Sequence, residues 1–314
     1  MPSAFETGLT TGNLGAIRAC PKCDLHNHAL LGGNRQFVEA RTGRNVEPLQ
    51  DRLNSMAEMH DWVGRNVGAI FEGWKGRLLA FEAAFIQARE DGVIRLEVGE
   101  DVWAITLFDG SADRLTYALR HIHETVAPEI EWVPQLGMSR HCPVSALERW
   151  IAPFLDLGTY RTLDHSGDEF AQSISVFKPI YRRAGERDLR LKAHVGEWGT
   201  ADDVWRAVEE LELDEVQHGI AAVESSAVMG FLADHRIRLN ICPTSNAMLG
   251  RVKSLASHPI RRLYDAGVVV TINTDDVLVF GQGVSEEFMS LFDTGLFAAG
   301  ELDRIRLNGL LDDD

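Results

Sequence analysis

Two histidines separated by one residue, His26-Asn27-His28, open a set of side chains that could hold a metal. In an extended strand, residues two apart project to the same side, so both imidazoles share one face. Three further groups follow along the chain: His194-Val195-Gly196-Glu197, His218-Gly219 and Thr274-Asp275-Asp276. Imidazole and carboxylate donors suit zinc, and a catalytic zinc site leaves one coordination position for water. Taken singly, His218 before a glycine reads equally as a packed core histidine, and Glu197 as an exposed loop carboxylate. Two histidines on one face of a buried strand have no such easy structural purpose. His121-Ile122-His123 repeats the spelling but lies in a helical pattern, where residues two apart diverge, so it reads as surface. Cys20-Pro21-Lys22-Cys23 has the spacing of a redox pair or half a zinc site. No second such pair follows, and it runs into a strand and not a helix, so these thiols read as reduced.

Bringing the four groups together requires strands that end at one place. Eight short apolar or β-branched runs meet that need: Cys23–His28, Val93–Val98, Ile130–Met138, Thr159–Asp164, Leu189–His194, Glu215–His218, Ile237–Cys242 and Val268–Asn273. Amphipathic stretches between them, including Leu79–Glu90, Ala112–Thr125 and Asp202–Leu211, read as helices. Thr200-Ala201-Asp202-Asp203 suits a helix entry, and Gly92 and Gly267 stand where a helix C-terminus favours a positive φ. The alternation predicts an α/β fold, a TIM-type (β/α)8 barrel with extra helices inserted between strands 1 and 2. Residues 1–314 read as one such domain, with a lid-like insertion at about 34–91. Within it Met56, Met59, Trp62, Val67, Ile70, Phe71 and Trp74 recur at roughly helical spacing. They predict a pair of helices that pack on the barrel and roof its mouth. Barrel active sites open at the C-terminal ends of the strands, which is where four histidines and three carboxylates of this chain fall.

The composition, 45% hydrophobic and 25% charged over 314 residues, is that of a globular and not a disordered chain. A net charge of −16 argues against nucleic-acid and anionic-membrane partners, both of which recruit positive surface. No run approaches the ~18 apolar residues of a membrane span. The first residues lack a basic stretch followed by an apolar one. The expectation is a cytoplasmic protein acting on a small molecule, with oligomeric state left open.

Lys22-Cys23-Asp24-Leu25-His26-Asn27-His28 resembles the opening motif of the adenosine deaminase family of metal-dependent amidohydrolases. His194-Val195-Gly196-Glu197 resembles that family's His-Ala-Gly-Glu, and Gln217-His218-Gly219 its Gly-His-Gly. Asp164-His165-Ser166-Gly167-Asp168-Glu169 is similar to its Asp-Leu-Ala-Gly-Asp-Glu. Cys242-Pro243-Thr244-Ser245-Asn246 and Asn273-Thr274-Asp275-Asp276 match family signatures almost letter for letter, and the motifs run in family order from 22 to 276. The resemblance implies that His26, His28, His194 and Asp275 hold one zinc ion per chain, whose bound water becomes a hydroxide nucleophile. It implies catalytic roles for Glu197, His218 and Asp275. His218 accepts the water's proton and stabilises charge, and Glu197 protonates a ring nitrogen. Asp276 and the Gly167 backbone bind two further ring nitrogens, which marks a purine-like substrate. The implied activity is hydrolytic deamination of an adenosine/adenine-type aminopurine, releasing ammonia. Leu30 stands where adenosine- and adenine-specific members carry an acid, Glu97-Val98-Gly99-Glu100 replaces a Glu-x-Arg pattern, and Val277 replaces a proline. These departures bear on substrate more than on reaction. The alternatives are a same-fold metal hydrolase acting on a different bond or a non-adenosine amino heterocycle, and a non-catalytic ligand-binding barrel.

Overall fold

A computed structural model describes residues 1–311. Its strands are β1 (Lys22–His28), β2 (Val93–Asp101), β3 (Glu131–Ser139), β4 (Thr162–Ser166), β5 (Arg190–Val195), β6 (Glu215–His218), β7 (Arg238–Ile241) and β8 (Val270–Ile272). They pair in parallel, each with the next, in one eight-stranded sheet. All eight runs expected from the sequence are strands, with ends displaced by no more than three residues. The last strand returns to the first through a bridge between Asn27 and Asp275. There the Asp275 N–H donates to His26 O at 2.8 Å, and the His28 N–H donates to Asp275 O at 3.2 Å. This seam curls the sheet into a TIM-type barrel.

The alternation within each strand sorts side chains between two environments. Leu191, Ala193 and Val195 of β5, with Leu239 and Ile241 of β7, belong to the apolar shell between barrel and helices. Burying each such aliphatic side chain stabilises the fold by about 1.5–3 kcal/mol. The residues out of phase with them form a polar interior. Lys192, fully buried, reaches Glu97 at 2.5 Å and Glu215 at 2.7 Å. Asn240 Nδ2 donates to Gln217 at 2.9 Å, and Gln135 Nε2 donates to Glu97 at 2.9 Å. This saturated layer is the floor beneath the histidines.

Helices Gly73–Glu90, Ala112–Val126 and Ala201–Leu211 cover the three stretches expected to be helical. Thr200 and Asp203 form a reciprocal capping box at the last of them. Gly92 takes φ +72°, and a Cβ there would lie 1.7 Å from Arg18 O, so only glycine fits this close approach. The β1–β2 insertion holds helices Arg35–Thr42 and Met56–Asn66, N-capped by Asn34 and Ser55. Val38, Met59, Val67, Ile70 and Phe71 bury a second apolar cluster against Leu278 and Phe280. Trp74 differs from the expectation: at the first turn of Gly73–Glu90 it is 49% exposed, its ring facing Lys75 instead of the barrel. His123 also differs. It is half-buried against Phe85 and Trp132, with Nε2 2.8 Å from Ile130 O. Cys20 and Cys23 are both free and buried, and burial pushes the Cys23 thiol up to about 12, far from reactive. Among the described residues no helix is long and apolar enough to cross a membrane.

Candidate active site

The seam that closes the barrel also assembles four side chains that could hold a metal. Asp275, inserted between His26 and His28 by its two backbone bonds, takes φ +61°, and His218 at the end of β6 takes φ +63°. Left-handed conformations cost non-glycine residues roughly 1–2 kcal/mol, so two strained residues are held where their side chains meet. His26, His28, His194 and Asp275 each place one ligand atom within 4.8 Å of the other three.

The chemistry of these donors tests whether a metal fits. His26 Nδ1 is 3.0 Å from the carbonyl of Asn240, so that nitrogen carries the proton and Nε2 is bare. His194 Nδ1 is 3.1 Å from Asp164 Oδ2, so its Nε2 is bare as well. The two bare nitrogens lie 3.0 Å apart, and His28 Nε2 lies 3.2 Å from His194 Nε2 and 3.2 Å from Asp275 Oδ1. Facing lone pairs at that distance repel unless they share a cation. Donors bonded to one zinc ion at ~2.0–2.1 Å stand roughly 3 Å from one another, and the cluster fits that requirement. Asp164, quoted above within a motif and given no role, holds the His194 ring in the manner of outer-shell carboxylates at metal sites. Burial opposes its charge, but His194 outweighs burial and holds Asp164 well below the usual carboxylate range.

Glu197 and His218 stand beside this cluster. His218 Nε2 is 3.7 Å from Glu197 Oε2 and 3.9 Å from Asp275 Oδ2. Burial, then the charges of Asp275 and Glu169, hold the Glu197 carboxyl well above its ordinary range, against the hydrogen bond from Trp198 Nε1 at 2.9 Å. This environment favours its protonated form. Burial pushes His218 down to about 3. His28 moves the other way, to about 10: burial opposes its charge, but the hydrogen bond to Asp275 and the neighbouring carboxylates prevail.

The loop after β5 is fixed by Arg140, which sequence reading missed, and by residues it quoted within motifs without assigning a role. Glu169 accepts the backbone N–H groups of Gly196, Glu197, Trp198 and Gly199 at 2.7–3.3 Å. Arg140 donates to Glu169 O at 2.7 Å and to His194 O at 2.8 Å. Asn246, fully buried, contacts both His218 Nδ1 at 3.2 Å and Glu197 Oε1 at 3.4 Å, and Ser245 Oγ donates to Asp275 Oδ2 at 2.6 Å.

Gly167 and Asp276 line the same cavity of about 280 Å³ as His28, His194, Asp275, Glu197 and His218. Asp276 is buried, and its Oδ1 has no hydrogen-bond partner. Gly167 has φ +98°, and a Cβ there would press on His141 at 3.2 Å. Opposite them, Leu30, Met56, Met59, Val63 and Leu249 make an apolar wall. Among the described lining residues Arg77 is the one arginine or lysine, and it is paired with Glu100 through Nε at 2.8 Å and a second bond through Nη2.

A family model for adenosine deaminase matches residues 138–312. A Treponema pallidum protein provisionally named adenosine/adenine deaminase is 33% identical over 279 residues, covering 89% of this chain and 93% of that one. The fold is similar to that of an adenine deaminase from Arthrobacter aurescens, with TM-score 0.79 and 24% identity over 93% of this chain and 94% of the other. It is also similar to an amidohydrolase from Burkholderia ambifaria solved with bound zinc, with TM-score 0.76 and 20% identity over 100% and 90% of the two chains.

Proposed function

The chain belongs to the adenosine deaminase family of metal-dependent aminohydrolases, and from that premise we propose that it hydrolytically deaminates an uncharged aminopurine of the adenine or adenosine type. The observation that carries this reading is the placement of Glu197, a buried carboxyl whose pKa burial raises, beside four donors able to hold a metal. His26, His28, His194 and Asp275 would hold one zinc ion. When bound, zinc supplies Lewis-acid polarisation that makes water nucleophilic at neutral pH.

The chain's own groups do the rest. Glu197 donates its proton to the ring nitrogen next to the amino-bearing carbon, which makes that carbon electrophilic. Water supplies the oxygen that adds there and two protons: one goes to the departing amino group, which leaves as ammonia, and the other restores the Glu197 carboxyl. Asp276 Oδ1 and the Gly167 backbone engage two other ring nitrogens, and the helical insertion roofs the cavity through Met56, Met59 and Val63. Phosphodiester or amide hydrolysis has no use for protonation of a ring nitrogen or for two further contacts to ring nitrogens.

The choice of an uncharged substrate rests on the cavity wall. A nucleotide phosphate wants arginine or lysine, and Arg77 is committed to Glu100. Leu30 and its apolar neighbours offer a phosphate nothing. A screen for ammonia release with adenine, adenosine and AMP, and for methylamine release with N6-methyl-substituted bases, tests the proposal. Turnover on adenine or adenosine at least ~10-fold above AMP supports it. A preference for AMP, or silence on all aminopurines, overturns it.

A further inference from the structure

One backbone N–H determines where the protons sit along a buried chain of side chains that ends at the catalytic pair. The Ile260 N–H donates to His258 Nδ1 at 3.1 Å, so that nitrogen must offer a lone pair. His258 is 2% exposed, and burial pushes its pKa down to about 3, so the ring carries a single proton, on Nε2. Nε2 lies 3.3 Å from Asn246 Oδ1 and donates to it. This contact sets the orientation of the Asn246 amide, whose Nδ2 then faces His218 Nδ1 at 3.2 Å and Glu197 Oε1 at 3.4 Å. An amide N–H2 aimed at an imidazole nitrogen requires a lone pair there.

We propose that His258 and Asn246 are positioning residues that lock His218 into the tautomer with its proton on Nε2, and that the same amide aligns Glu197. The inference rests on the deaminase reading of the site. Its consequence for His218 differs from the expectation drawn from family resemblance. With Nδ1 filled by Asn246 and Nε2 protonated, His218 has no nitrogen free to accept a proton from water. It presents an N–H to the space between Glu197 and Asp275 and acts as a hydrogen-bond donor to oxygen entering there. No proton travels along the chain. The tautomer also decides between two possible donor groupings. His26, His218, Cys242 and Asp275 lie close enough to hold an ion, but a protonated Nε2 closes His218 to a metal and leaves the set with His28 and His194.

The test is a long-range proton–nitrogen NMR correlation of the uniformly 15N-labelled, zinc-loaded full chain, with the His218 signals identified by their loss in His218→Gln. The expected pattern is a neutral ring protonated on Nε2. Asn246→Asp places two accepting oxygens between His258 and His218, so the proton of His218 should move to Nδ1. Turnover (kcat) should then fall roughly 10²–10⁴-fold, with KM changed far less and zinc content retained. His258→Leu frees the amide to turn over and should give a mixture of tautomers and a smaller loss, restored in part by His258→Gln. A wild-type His218 protonated on Nδ1 overturns the proposal without any variant. So does an Asn246→Asp protein with unchanged tautomer and kcat. If the Nε2 pattern is found but no aminopurine is turned over, the positioning chain stands and the deaminase reading fails.

Discussion

Glu287 lies on helix Val284–Asp293, fully buried, and accepts the Thr244 N–H at 3.1 Å through Oε2, while Oε1 has no partner. Thr244 precedes Ser245 and Asn246, so this carboxyl pins the back of the segment that touches Asp275, His218 and Glu197. Burial, aided by the charges of Asp24 and Asp275 and opposed by the Thr244 hydrogen bonds, raises its pKa from 4.5 to about 8. The unfolded chain releases this proton near 4.5, whereas the folded protein keeps it until about pH 8. Across that window the folded state binds more protons than the unfolded state, so stability falls as pH rises and levels off above it. A gap of about 3.5 pH units, at about 1.4 kcal/mol per unit, amounts to about 5 kcal/mol. Glu287→Gln keeps the shape and the oxygen that accepts the Thr244 N–H, but puts an amide N–H2 where Oε1 stands. An unmet buried donor costs about 1–3 kcal/mol. The variant should therefore fall below the parent by up to about 2 kcal/mol near pH 5, and exceed it by about 1–3 kcal/mol near pH 8. Urea unfolding of the zinc-loaded protein, followed by tryptophan fluorescence across about pH 5–9, measures the difference. Stability profiles that run parallel at every pH would refute the reasoning.

Glu197→Gln should lower kcat by roughly 10²–10⁴-fold while metal analysis still finds the parent's zinc content; unchanged turnover sinks the proton-donor role. Asp275→Ala removes a donor and should leave purified protein depleted of zinc, which elemental analysis reads directly. Asp164→Asn withdraws the carboxylate that holds His194 Nδ1 and should weaken zinc affinity by roughly 10–100-fold in a chelator competition; an unaltered affinity contradicts the orienting role. Gly167→Ala forces a side chain into a φ of +98° against His141 and should cost about 1–3 kcal/mol, with KM rising more than kcat falls.

The strand ends were legible because a parallel barrel writes its chemistry locally. Each run finishes in the group it delivers, so His26, His28, His194, His218 and Asp275 could be read from pattern and motif together. The network behind them was not. Glu169 reaches the loop after β5 across about 30 residues, and Asn246 reaches His218 across 28, through hydrogen bonds that leave no periodic trace. His258 looks like an ordinary His-Pro turn until Ile260 and Asn246 are seen to divide its two nitrogens. Lys192 and Glu215 sit inside the barrel as a saturated pair, where a rule of apolar interiors looks for aliphatic residues. Trp74 misled because helical spacing reports a face only where a neighbouring element covers it, and none covers that one.

The seam between Asn27 and Asp275 joins parts of the chain that synthesis and diffusion keep far apart. Thr274 Oγ1 donates to Asp24 Oδ2 across 250 residues, and the metal donors straddle the same junction with His194 between them. The cost of bringing two chain positions together grows as about (3/2)RT ln n, so a bond at this point constrains the unfolded chain more than a local one could. An ion held by His26, His28, His194 and Asp275 acts as a reversible cross-link that closes two long loops at once. Its withdrawal removes that cross-link, and amide hydrogen exchange should then accelerate first along β1 and the terminus of β8, before any other strand.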